Sequence, residues 1–122
     1  MNKYINLNLY PEVSVFNMDG VSNCLKLNKI FPGKFFVCVY LGYPSEVAAT
    51  LENIKIIGRC LKGIDKVFYT VYKSFTNEQI DSIIEVGGHL RFGMEDQTYF
   101  NGEKIESMVK YTQIIHRKIH GY

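Results

Sequence analysis

The sequence predicts an α/β fold, a single domain over residues 1–122 in which parallel strands alternate with helices. Three observations predict it. Stretches rich in β-branched and aromatic residues alternate with stretches whose apolar residues recur at helical spacing. The links between successive strand-like stretches are far too long for hairpins, which leaves parallel pairing with right-handed crossovers. One of the strands is apolar at every position, as in parallel sheets buried on both faces.

Taken in order, Val13-Ser14-Val15-Phe16 follows Pro11 and ends at Asn17-Met18-Asp19-Gly20, which reads as a first strand and its turn. A short helix over residues 21–28 carries Val21, Cys24, Leu25 and Leu27 before Pro32-Gly33 breaks it. The continuous apolar strand runs from Phe35 to Leu41 and stops at Gly42-Tyr43-Pro44. Thr50 caps the next helix, in which Ile54, Ile57 and Leu61 line one face. A third strand covers residues 67–72. Thr76-Asn77-Glu78-Gln79 fits a capping box and opens a helix with Ile80, Ile83 and Ile84 on its apolar side. Gly87-Gly88 ends that helix, residues 89–92 make a short fourth strand, and a last helix spans residues 104–119 with Ile105, Met108, Val109, Thr112 and Ile115 inward.

The result is four consecutive β-α units. Both an open doubly wound sheet and a run of strands from a (β/α)8 barrel satisfy that order. A complete barrel needs about 200 residues or more, so 122 residues allow half of one.

Composition narrows the function classes. At 47% hydrophobic and 21% charged residues the chain is of the globular kind. A formal charge of +2, with no Lys/Arg run, supplies no field for gathering a polyanion, so nucleic acid is not expected as a partner. No stretch approaches 18 apolar residues and none reads as a signal peptide, so the expected location is the cytoplasm rather than a membrane. The three cysteines, Cys24, Cys38 and Cys60, are an odd number without CxxC spacing, which speaks against a disulfide scaffold.

Chemistry concentrates in one stretch. In either architecture ligands gather at the C-terminal ends of the strands, where His89, Arg91, Glu95 and Asp96 fall. Arg91 offers a rigid fork of donors suited to a carboxylate or phosphate. Glu95 and Asp96 supply a hard metal ligand or a proton acceptor. A plainer reading pairs Arg91 with Glu95 or Asp96 in a structural salt bridge, and treats His116, Arg117, Lys118 and His120 as a solvated helix end.

The run from Gly87-Gly88-His89-Leu90-Arg91-Phe92 through Gly93-Met94-Glu95-Asp96-Gln97, followed by Tyr99, resembles the last-barrel-strand signature of the β-keto acid cleavage enzymes. This is the zinc-dependent (β/α)8 family typified by 3-keto-5-aminohexanoate cleavage enzyme. Tyr10-Pro11-Glu12-Val13-Ser14-Val15-Phe16 looks like its Pro-Glu strand. Leu41-Gly42-Tyr43-Pro44 through Ala49-Thr50-Leu51-Glu52-Asn53 looks like the loop and helix start after the next strand. The likeness runs over roughly residues 10–120 and implies a domain that is half a barrel, matching the C-terminal part of the family. It further implies carbon–carbon bond cleavage of a β-keto acid with acyl transfer to or from coenzyme A. Glu95 then matches the zinc-ligand glutamate, Asp96 the aspartate that assists proton abstraction, and Arg91 the arginine that positions and activates that aspartate.

The family's early His-x-His zinc ligands have no counterpart here. Ser14 and Asn17 stand where acidic residues are usual, Gln97 replaces the signature's asparagine, and Tyr72-Lys73-Ser74-Phe75 replaces a glycine-rich turn. With one ligand, zinc would be held poorly. The expectation is therefore a half-enzyme inactive alone, its open side covered by a second copy, which still brings no His-x-His pair, or completed by a separately encoded N-terminal half. The alternative is a non-catalytic, truncated or repurposed homologue acting as an oligomeric interaction protein.

Overall fold

A computed structural model describes residues 7, 9–44, 46–93 and 97–121. Among the described residues eleven elements follow one another: β1 (Glu12–Val15), α1 (Met18–Ile30), β2 (Phe36–Leu41), α2 (Leu51–Cys60), β3 (Val67–Val71), β4 (Lys73–Phe75), α3 (Asn77–Glu85), β5 (His89–Leu90), β6 (Gln97–Phe100), β7 (Glu103–Lys104) and α4 (Met108–His120).

The main sheet has the order β1-β2-β3-β5, parallel throughout. Alternation along these strands divides their side chains between two faces. Val15, Val37, Val39, Leu41, Val67, Tyr69 and Val71 form the buried face, and Ile54, Ile57, Ile80 and Ile83 from α2 and α3 join them in one core. The helices begin where local chemistry satisfies their first amides. Asn17 accepts from Gly20 N–H, Thr50 from Asn53 N–H and Ser107 from Lys110 N–H. Thr76 and Gln79 close the reciprocal capping box read from the sequence. Because Asn17 rather than the Gly20 turn caps it, α1 starts three residues earlier than expected and runs on to Ile30.

The half-barrel expectation is corrected at β4. Instead of passing from the third strand into a helix, the chain forms a second, three-stranded sheet of order β4-β6-β7, in which β4 and β6 are parallel and β6 and β7 antiparallel. The observed fold is α/β with a parallel main sheet and this added mixed sheet. The expected start of the last helix at residue 104 shifts for the same reason, since Glu103 and Lys104 belong to β7. The β6–β7 turn, Asn101-Gly102, has both residues at positive φ, 50° and 82°. That pairing suits the two-residue hairpin turns whose twist matches the strands.

Gln97 joins the two sheets. It is 1% exposed, and its Nε2 donates to Thr70 Oγ1 at 2.6 Å and to the Val71 carbonyl at 2.8 Å, both at the end of β3. Its Oε1 accepts from Gly93 N–H at 2.7 Å, and its own N–H donates to the Gly93 carbonyl at 2.8 Å. Replacing it with leucine keeps the volume but strands these partners, at about 1–3 kcal/mol for each group left unpaired. Gln97→Leu is expected to lower unfolding free energy in urea by about 2–4 kcal/mol.

Gly88 sits where a Cβ would lie 2.5 Å from the Tyr69 ring and 3.0 Å from Ile83 Cγ2, both buried. Gly88→Ala is expected to cost about 1–3 kcal/mol through overpacking, measured by the same urea titration.

Candidate functional site

The second face of the main sheet is the one with chemistry. Strand register places Ser14, Cys38, Phe68 and His89 in one row across all four strands, with Glu12 and Phe36 in the row before it. In the row after it Tyr40 pairs with Thr70. Arg91 continues β5 beyond Leu90, its N–H donating to the Tyr69 carbonyl at 2.9 Å, so alternation returns its side chain to the face of His89. Glu12, Ser14, Phe16, His89 and Arg91 are exposed here, and Phe36, Tyr40 and Phe68 are half-buried. The second strand was expected to be buried on both faces. Its second face is open at Phe36 and Tyr40 because their neighbours across the sheet are polar or only partly buried.

A chain of hydrogen bonds crosses this face. Arg91 Nη1 donates to Tyr40 Oη at 3.1 Å, and Tyr40 Oη donates onward to Glu12 Oε2 at 3.4 Å, which also receives Ser14 Oγ at 3.4 Å. The Arg91 guanidinium carbon lies 5.6 Å from the centre of the Tyr40 ring, within cation–π range, and Phe16 stacks on that ring at 4.6 Å. Beside this chain Glu12, Phe36, Phe68, Leu90, Arg91 and Phe92 line a cavity of about 370 Å³. Its aromatic wall is an edge-to-face pair, Phe36 and Phe68, with His89 tilted against Phe68.

Electrostatics keeps the polar groups in definite states. Burial lifts the Cys38 thiol above its ordinary pKa, Glu12 adding to the rise and Arg91 opposing it. Cys38 is thus a neutral thiol, not a nucleophile. Burial likewise raises the Tyr40 phenol, with Cys38 and Glu12 reinforcing the effect and Arg91 opposing it, so Tyr40 stays protonated and can donate to Glu12. For Arg91, partial burial acts against the charge. Electrostatic interactions with Tyr40, Cys38 and Glu12 outweigh it and hold the pKa above the usual arginine value.

Of the residues singled out in the sequence, Arg91 stands on this face, whereas Glu95 and Asp96 lie outside the described residues. The flanks of their segment are described: Gly93 and Gln97 are tied together twice, by the Oε1 and backbone bonds of Gln97. Tyr40 and Glu12, the groups that hold Arg91, were not singled out as site residues. Alternation within the second strand placed Tyr40 on the face of Cys38, but pairing with a residue 51 positions later leaves no local signal.

A zinc ion needs about three protein ligands. Among the described residues no three His, Cys, Asp or Glu side chains come together in a way that would hold a metal ion. The described donor set therefore does not fit zinc. Nor is any helix of the described residues long and apolar enough to cross a membrane.

No protein of established function gives a significant match to the chain. A family model, described as beta-keto acid cleavage enzyme, matches residues 1–120. This match corrects the expectation that the likeness is confined to the family's C-terminal part, because it takes in nearly the whole chain, including residues ahead of the first block recognised. With that expectation go the half-enzyme reading, the separately encoded N-terminal half and the truncated-homologue alternative. The match takes in all but the last two of the 122 residues, and the chain belongs to the beta-keto acid cleavage enzyme family.

Proposed function

We propose that the open sheet face binds a small β-keto carboxylate, with Arg91 as the group that receives the carboxylate. The supporting observation is the Arg91–Tyr40–Glu12 hydrogen-bond chain beside an aromatic-walled cavity of about 370 Å³. One arm of the guanidinium is fixed on Tyr40, which sets the plane of the fork, and the fork carries further N–H donors. Phe36 and Phe68 exclude water from one side of the cavity, which strengthens a charge-assisted hydrogen bond within it. Glu12 competes with the ligand for Arg91 through Tyr40 and so limits affinity.

Asp96 is the proposed proton acceptor and Glu95 the proposed metal-facing carboxylate, both on family membership. Zinc and a coenzyme A thioester are the family's expected cofactor and co-substrate. The described donors do not fit zinc. Self-association is the proposed way of covering the open face, where Phe16 and Tyr72 are 39% and 38% exposed. A reducing, cytoplasmic location is supported by three free thiols.

Calorimetric titration with acetoacetate tests the carboxylate site. Arg91→Ala is expected to weaken binding about ten- to hundredfold, the loss of one charge-assisted contact. Glu12→Gln is expected to tighten binding, and acetone, which lacks the carboxylate, not to bind. Equal affinity for acetoacetate in the wild type and in Arg91→Ala would rule the reading out.

A further inference from the structure

On the helix-covered side of the main sheet a cavity of about 400 Å³ opens at the N-terminal ends of β3 and β5, where α2 and α3 end. Leu61, Ile64, Val67 and Val86 give it apolar walls. Tyr69 stands in the same wall with its ring against Gly88. It is 1% exposed, yet its hydroxyl has no hydrogen-bond partner among the described residues. Burial pushes that phenol up to about 12, so at neutral pH it keeps its proton and can donate. An adjoining cavity of about 350 Å³ shares Gly58, Lys62, Glu85 and Val86 with the first and adds Lys55 and Arg59. Lys55, Arg59 and Lys62 form one exposed stripe along α2 and the turn after it, and among the described residues none of them is ion-paired.

We infer that the two cavities together form a binding site for a small hydroxylated aromatic carboxylate of the hydroxybenzoate kind, separate from Arg91 and from the family's chemistry. Three features require three properties of the ligand. A buried phenol without a partner is costly, and a ligand hydroxyl at the inner end can both accept from it and donate to it. The apolar walls call for an apolar body, and a ring can also meet the Tyr69 ring. The cationic stripe calls for an anion at the mouth. Lys62 lines both cavities and therefore stands between the apolar part and the basic part. A simple phosphate would leave the walls and the phenol unused, and a fatty acid would leave the phenol unpaired. Glu85, Asp65 and the carbonyl ends of α2 and α3 oppose an anion, but the three cations outnumber the two carboxylates. The size and the mixture of apolar wall with a few polar groups are those of small-molecule sites.

Calorimetric titration of the full chain with 4-hydroxybenzoate tests the site, with benzoate and phenol as ligands that lack one polar end each. Saturable binding of 4-hydroxybenzoate is expected, about tenfold tighter than that of benzoate. Tyr69→Phe should remove this advantage and leave the affinity for benzoate unchanged. Lys62→Gln should weaken both acids but not phenol, and Arg91→Ala should alter none of the three. Phenylalanine keeps the ring against Gly88 and deletes only a hydroxyl without a partner, so the variant is expected to fold, which circular dichroism checks. An advantage of 4-hydroxybenzoate that survives Tyr69→Phe, or binding that is lost in Arg91→Ala instead, would overturn the proposal. The absence of saturable binding would overturn it as well.

Discussion

The side-chain amide of Gln97 lies in the interior, where an unpaired N–H or C=O is far more costly than at the surface. Every strong option it has is taken: both amide protons are donated to the end of β3 and its oxygen receives the Gly93 N–H. That requirement organises much of the molecule. Thr70 and Val71 are core residues of the parallel sheet, while Gln97 is the first residue of the central strand of the small sheet. One side chain thus sets the offset between the two sheets and the distance between residues 93 and 97. An apolar residue of equal size would fill the space yet impose no such register.

The parallel sheet itself works because its two faces differ. On one, valines with Leu41 and Tyr69 form a buried layer that is sealed by the isoleucines of α2 and α3. On the other, the same alternation presents Glu12, Ser14, Cys38, Tyr40, Thr70, His89 and Arg91 among phenylalanines. A hydrophobic core needs only the first face. The second leaves Glu12, His89 and Arg91 exposed, where they can meet a ligand.

Much of the fold was legible from local patterns. The two caps at Thr50 and Thr76, the second completed by Gln79, and the apolar faces of α2 and α3 were readable because a helix start is decided within four residues. The second sheet was missed, although Asn101-Gly102 is a strong short-range hairpin signal. The stretch between the fourth strand and the last helix received no element, because the pairing of β4 with β6 spans more than twenty residues with no periodicity to announce it. Gln97 was noticed as a replacement for asparagine, but its role depends on a third strand 26 residues away, which spacing along the chain does not encode. Arg91 was readable as a chemical group and from its resemblance to the family signature. Its partners were not, since Tyr40 and Glu12 reach it only once the strands are in register.

That register explains why Arg91 is held rather than merely exposed. A guanidinium on a strand end would sample many rotamers, and ordering it for a ligand carries a cost in side-chain entropy. Tyr40 removes part of that cost in advance by two contacts at once, a hydrogen bond to Nη1 and its ring at cation–π distance, while Phe16 stacks on that ring and limits its motion. The phenol can hold Arg91 without neutralising it because it stays protonated, and it stays protonated because it is partly buried beside Glu12 and Cys38. A carboxylate in Tyr40's place would bind the arginine more strongly and leave less of its field for anything else. The neutral go-between lets the fold orient a cation while keeping its charge available to an anion in the cavity.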